Sequence, residues 1–144
     1  MAWSKGGNKI VNMIIFCTAF IFQYVGHNIG DYLFQTDWQA QNKTKKRLAR
    51  FRHCFVYSLT IGLLLLIPFN WVVASIVFLI TLIEHYLVDS RKPIIVWKNF
   101  LEKKIAKQKN FEIKNVPQFV IISIDQTVHI VRIFIIAIAI SCFI

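Results

Sequence analysis

Four stretches of this 144-residue chain are apolar for long enough to cross a lipid bilayer, and that constraint precedes every other. About 20 apolar residues, each rising ~1.5 Å in a helix, span the ~30 Å of hydrocarbon. The stretches run from 10 to about 35, from 53 to 69, from 71 to 89 and from 117 to 144. The first is apolar through Phe22 and then turns polar. Residues 68–70 leave room only for a tight turn, so the second and third stretches form a helical hairpin. Pro117 suits the first turn of the fourth. The expectation is an all-α polytopic membrane protein, a bundle of four transmembrane helices in a single domain over 1–144. Loops at 36–52 and 90–116 join them. The opening MAWSKGGNKI is followed by an apolar run with no small-residue cleavage site, so the first helix is expected to be retained rather than removed as a leader.

Charge becomes informative once it is placed on this frame. The chain carries 17 Lys and Arg against seven Asp and Glu, a formal net charge of +10, yet only 17% of its residues are charged and 56% are hydrophobic. Soluble domains average about 25% charged, so a soluble enzyme and a disordered tail are both excluded. Lys43, Lys45, Lys46, Arg47, Arg50 and Arg52 lie in the first loop, and eight more cations lie between Arg91 and Lys114. The hairpin turn has none. Short loops rich in Lys and Arg stay cytoplasmic, which puts both basic loops inside and both termini outside, with Lys5 and Lys9 opposing weakly. The basic loops read as orientation signals with an attraction for anionic lipid. Neither interleaves aromatics in a reading motif, so no specific nucleic acid is expected. Trp38, Trp71 and Trp97 fall where an aromatic belt belongs. Cys17, Cys54 and Cys142 lie far apart without CxxC spacing, so they signal no disulfide framework and no zinc ribbon. Cys54 reads as helix packing.

Ionisable residues inside membrane spans are costly and mark function by default. The first span ends in His27-xxx-Asp31 with Gln35 beyond, and the third in Glu84-His85-xxx-Asp89 with Lys92 beyond. The fourth carries Asp125-Gln126-xx-His129 with Arg132 beyond, and the second opens with His53. Positions i and i+4 of a helix share one face, so each His/Asp pair offers a nitrogen and an oxygen to one point. Under the topology above, all of these groups fall in a single layer on the cytoplasmic side.

Neutral imidazole and carboxylate are the ligands of Zn, Mn, Fe and similar divalent ions. His27, Asp31, His53, His85, Asp89, Asp125 and His129 are therefore the expected metal ligands, too many for one tetrahedral ion, so one or two divalent ions are expected, Zn foremost. Lys92 and Arg132 stand seven residues from His85 and Asp125 on the same helical faces, placed to hold a phosphate or stabilise developing negative charge. Lys43 joins them as a binder of anionic substrate. Gln35 and Gln126 are expected behind the ligands. Glu84 points about 100° from His85 and reads as a base or a supporting group. A through-pore would distribute polar groups across the whole thickness, whereas the outer halves are nearly all apolar apart from Asn12.

The run His27-xxx-Asp31-Tyr-Leu-Phe-Gln35-Thr-Asp37-Trp38, followed by Lys43, His53, His85-xxx-Asp89-xx-Lys92 and Asp125-Gln126-xx-His129, resembles a bacterial and phage-borne family of small integral-membrane proteins, domain of unknown function 3307. The resemblance runs from about residue 20 to 135 and implies a bacterial cytoplasmic-membrane protein, with no assigned reaction. More loosely, repeated HxxxD motifs on membrane helices are similar to membrane-bound metal-dependent hydrolases, an analogy of reaction class only; its ligand roles map onto His27, Asp31, His85 and Asp89. The leading expectation is a membrane-embedded metal-dependent hydrolase acting on a phosphoester or lipid head group. The rival is a non-enzymatic membrane protein, either a metal or proton carrier or a membrane-perturbing effector, with a structural His/Asp cluster. Self-association as a homo-oligomer is open, since no small-xxx-small face is strong enough to predict one.

Overall fold

The computed structural model describes residues 12–144. The expected start of the first helix at Ile10, and Lys5 and Lys9, lie outside the described residues. The chain is all-α, and four of its helices are long and apolar enough to cross a membrane. Helix α1 (Met13–Asn28) opens on Asn12, whose side-chain oxygen accepts from the backbone N–H of Ile14 and Ile15. It continues through a π turn at Ile29–Leu33, where Phe34 N–H reaches back to the carbonyl of Ile29. Such an i→i+5 bond admits an extra residue and re-aims the side chains around it.

The first basic stretch is largely helical. Thr36 and Gln39 form a reciprocal capping box that starts the short α2 (Asp37–Asn42). Helix α3 (Arg47–Leu65) then begins at Arg47 rather than at His53. Arg50 holds the entry by donating to the carbonyls of Lys43 and Thr44 at 2.8 and 3.0 Å. His53 consequently stands inside α3. After the turn containing Pro68, Asn70 caps α4 (Trp71–Val88). That helix stops where Arg91 adopts a left-handed backbone with φ 58°, a conformation that costs a non-glycine residue energy. Helix α5 (Lys92–Phe100) follows in the second basic stretch, with a proline in its first turn. Helix α6 (Gln118–Phe143) starts directly after Pro117.

Helix α1 packs on α3 and α6, and α3 pairs with α4 in the hairpin. Gly26 and Gly30 let α1 approach α3 closely: a Cβ at Gly30 would lie 3.0 Å from Tyr57 Cα, and one at Gly26 would lie 3.1 Å from Ile61 Cα. This is the small-xxx-small device of membrane helices, used here within one chain. An apolar cluster that includes Ala19, Ile61, Leu65, Val77, Ala137 and Ile140 fills one end of the bundle. A smaller one around Val88, Ile94 and Ile121 lies toward the basic stretches. The polar layer sits between them. Large apolar side chains such as Leu63, Ile83 and Phe134 face outward, as a lipid solvent permits.

Candidate metal centre

All four histidines and Asp31, Asp89 and Asp125 come together in the bundle interior, none more than 7% exposed. Asp31 comes from the π turn of α1, His53 from α3, His85 from α4, Asp89 from the last turn of α4, and Asp125 and His129 from α6.

Four of their atoms crowd one point. His53 Nε2 is 3.0 Å from His85 Nε2 and 3.0 Å from Asp31 Oδ1. Asp89 Oδ2 is 3.4 Å from each of the two imidazole nitrogens, and His85 Nε2 is 3.7 Å from Asp31 Oδ1. Ligands ~2.05 Å from a tetrahedral ion stand about 3.3 Å from one another. Asp31, His53 and His85 thus form a group that could hold a divalent ion, with Asp89 Oδ2 beside its two nitrogens. Asp31 Oδ1 makes no hydrogen bond in spite of its close neighbours.

His27 is not part of that set. Its Nδ1 accepts from the Tyr57 hydroxyl at 2.7 Å and its Nε2 donates to Gln126 Oε1 at 3.0 Å, so both ring nitrogens are engaged. His27 Nδ1 still stands 4.0 Å from Asp31 Oδ2, one turn away, but with both nitrogens engaged elsewhere it offers no free lone pair to the four-atom set. His27 instead belongs to a supporting chain. Arg132 Nη2 donates to the Tyr57 hydroxyl at 2.7 Å, Tyr57 to His27, and His27 to Gln126. The Gln126 amide then donates to Asp31 Oδ2 at 3.0 Å, which leaves Oδ1 facing the centre. Gln35 lies 3.3 Å from both His53 ring nitrogens. Gln126 thus backs Asp31 from the far oxygen, while Gln35 flanks the His53 ring beside both nitrogens.

The expected anion binders fare differently. Arg132 is buried and spent inside the protein: Nη1 donates to Thr81 at 2.8 Å, Nη2 to Tyr57, and Nε pairs with Glu84 at 3.3 Å. It has no nitrogen left for a substrate. Lys92 is exposed and lies apart from the cluster, against Arg47 and Tyr86. The left-handed Arg91 ends α4 before Lys92, so the helical face that would have carried it past Asp89 does not continue. Lys43 does reach the centre. Its ammonium is 3.2 Å from Asp89 Oδ2, 3.3 Å from His53 Nε2 and 3.8 Å from Asp31 Oδ1. Burial disfavours its charge, but the carboxylates of Asp89, Asp31 and Asp125 outweigh that and raise its pKa above the ordinary lysine value. Glu84 accepts from His129 Nδ1 at 3.2 Å. The Cys54 thiol points at Asp89 Oδ2 from 4.0 Å.

Tyr57 and Arg91 carry weight that sequence reasoning did not assign. The Tyr57 ring stacks on His85 with centroids 3.8 Å apart. Its signal was its place four residues after His53, on the same face of α3. Arg91 lines a cavity of about 270 Å³ whose walls include Asp31, Lys43, Asp125 and Gln126. That cavity opens the polar layer at the end where the basic stretches lie, and Tyr32 and Ile122, both exposed, form part of its rim.

A family model described as "Protein of unknown function (DUF3307)" matches residues 19–143. No curated protein and no solved structure matches the chain.

Proposed function

The chain belongs to the DUF3307 family of proteins of unknown function, and from that premise we propose that it is a membrane-embedded metal-dependent hydrolase, with its His/Asp centre at the cytoplasmic leaflet, cleaving a phosphoester such as that of a lipid head group. The observation that carries this reading is the set His53 Nε2, His85 Nε2, Asp31 Oδ1 and Asp89 Oδ2, whose five measured separations run from 3.0 to 3.7 Å. Two nitrogen and two oxygen donors favour Zn, with Mn or Fe as alternatives. An ion held there supplies Lewis acidity and a water of lowered pKa.

The protein's own groups supply the rest. Gln126 and Gln35 hold Asp31 and His53 in orientation. Lys43 and Arg91 both line the cavity and present two cations to an anionic group entering it. The mixed rim of exposed Tyr32 and Ile122 suits a substrate with an apolar tail. The cytoplasmic placement rests on the lysines and arginines concentrated at the cavity end.

Elemental analysis of the purified chain tests the reading. About one equivalent or more of a transition metal is expected, lost on the double substitution His85→Ala with Asp89→Ala. Less than a tenth of an equivalent, unchanged by that substitution, would overturn it. One observation favours the rival reading of a non-enzymatic membrane protein: Lys43 and Arg132 already place positive charge beside Asp89 and Glu84. Such a network could stand without an ion. A carrier is disfavoured by the apolar cluster that closes the other end of the bundle.

A further inference from the structure

Among the buried atoms without a hydrogen-bond partner, three converge beside the four-atom set: Asp89 Oδ1, Asp125 Oδ1 and His129 Nε2. His129 Nε2 is 3.9 Å from each of the two oxygens. Leaving carboxylate oxygens and a ring nitrogen buried and unpaired is expensive, so their convergence asks for an occupant. We infer that the layer holds a second divalent ion, bound by His129, Asp89 and Asp125, with the Asp89 carboxylate bridging it to the first. This deepens the metal-hydrolase reading and rests on it.

Asp89 is the hinge of the argument. Its Oδ2 faces His53 and His85 at 3.4 Å, while its Oδ1 faces His129. One carboxylate turned to two sets of imidazoles is the arrangement that holds paired ions ~3.5–4 Å apart. The His85 and His129 rings are neighbours, with centroids 4.3 Å apart. Glu84 prepares His129 for the role. By accepting the hydrogen bond from Nδ1–H at 3.2 Å it leaves the Nε2 lone pair free and aimed at the two aspartates, the carboxylate–histidine–metal relation common around such ions. Spacings of 3.9 Å leave room for ligand distances of about 2.0–2.2 Å after a small contraction.

Charge points to the same conclusion. Among the described residues, Lys43 pairs with Asp31 and Asp89 and Arg132 with Glu84, while Asp125 has no lysine or arginine partner. One divalent ion brings four negative charges into balance with two positive ones. A second makes the centre cationic, as capture of a doubly charged phosphate monoester requires.

The experiment uses the full-length chain in detergent, stripped with chelator, reloaded with Mn²⁺ and freed of excess by gel filtration. Bound Mn is counted by elemental analysis, and its environment is read by low-temperature electron paramagnetic resonance. The wild type is expected to hold about two equivalents with a spin-coupled spectrum, as bridged ions give. Asp125→Asn and His129→Gln are each expected to hold about one, with the spectrum of an isolated ion, while melting close to the wild-type temperature. One uncoupled equivalent in the wild type overturns the second site and leaves the hydrolase reading standing. No bound Mn overturns both. Two equivalents retained in both variants overturn this ligand set, and the wild-type measurement decides even for a variant that does not fold.

Discussion

Gly30 of α1 stands so near Tyr57 of α3 that a Cβ at the glycine would lie 2.8 Å from Tyr57 Cδ2 and 3.0 Å from its Cα. The contact joins the residue before Asp31 to the residue that stacks on His85. Gly30→Ala must push α1 from α3, at a cost of about 1–3 kcal/mol, and carries Asp31 with it. Thermal unfolding in detergent should show a clearly lowered midpoint. Gly62→Ala is the control: its nearest neighbour would be 3.4 Å away, and the midpoint should hold or rise slightly through better helix propensity. Equal losses at both positions would contradict the close-approach argument.

His27 and His53 should separate cleanly. His53→Gln removes a donor facing His85 and Asp31, and should abolish retention of metal through gel filtration. His27→Gln disturbs only the chain that orients Asp31, so affinity should fall by about 10–100-fold while a bound ion is still measurable by titration. Equal loss in both variants would return His27 to the ligands.

Tyr57→Phe leaves His27 Nδ1 and Arg132 Nη2 without the hydroxyl between them. Each buried group left short of a partner costs about 1–3 kcal/mol, with the ring stacking retained. Chemical or thermal denaturation in detergent measures the loss. A midpoint indistinguishable from wild type would mean that the hydroxyl is dispensable.

Arg91 offers a kinetic test of the cavity. Under the phosphoesterase reading, Arg91→Ala should raise KM about ten-fold with little change in kcat, because its cation greets the substrate without touching the ligand set. Arg91→Lys should recover only part of that affinity, lacking the planar fork. A fall in kcat at constant KM would move Arg91 from binding to positioning.

Sidedness is checked by single cysteines in a background lacking Cys17, Cys54 and Cys142. Asn70→Cys should label from the outside of intact cells, and Gln108→Cys only after permeabilisation. The reverse pattern would transfer the centre to the opposite face and leave its geometry untouched.

The spans and the residues of the polar layer were legible because apolar length and i, i+4 spacing are written in the sequence. His85 and Asp89 behave as that spacing implies, one turn apart with Nε2 and Oδ2 at 3.4 Å. His27 and Asp31 are also one turn apart, with Nδ1 and Oδ2 at 4.0 Å, but Tyr57 and Gln126 from other helices take up the His27 nitrogens, which spacing within one helix does not show. Helix α3 begins among cations because Arg50 ties its side chain to the carbonyls of Lys43 and Thr44, a tertiary fact that charge counting reads only as loop. Arg132 lies in the layer, but its partners Thr81 and Tyr57 come from other helices, which spacing along α6 does not carry. The Gly26 and Gly30 pair was visible as letters, yet whether it faces another chain or α3 depends on packing.

The apolar cluster around Ala19, Ile61 and Ile140 seals one end of the bundle, while the cavity beside Arg91 opens the other. Among the described residues, the way in beside Arg91 is then also the way out. Under the metal-hydrolase reading, an oxyanion held by Lys43 and Arg91 would stand in the path of a departing ion, so the metal would have to arrive before the substrate. Occupancy of the doorway would then act as a kinetic lock on that ion.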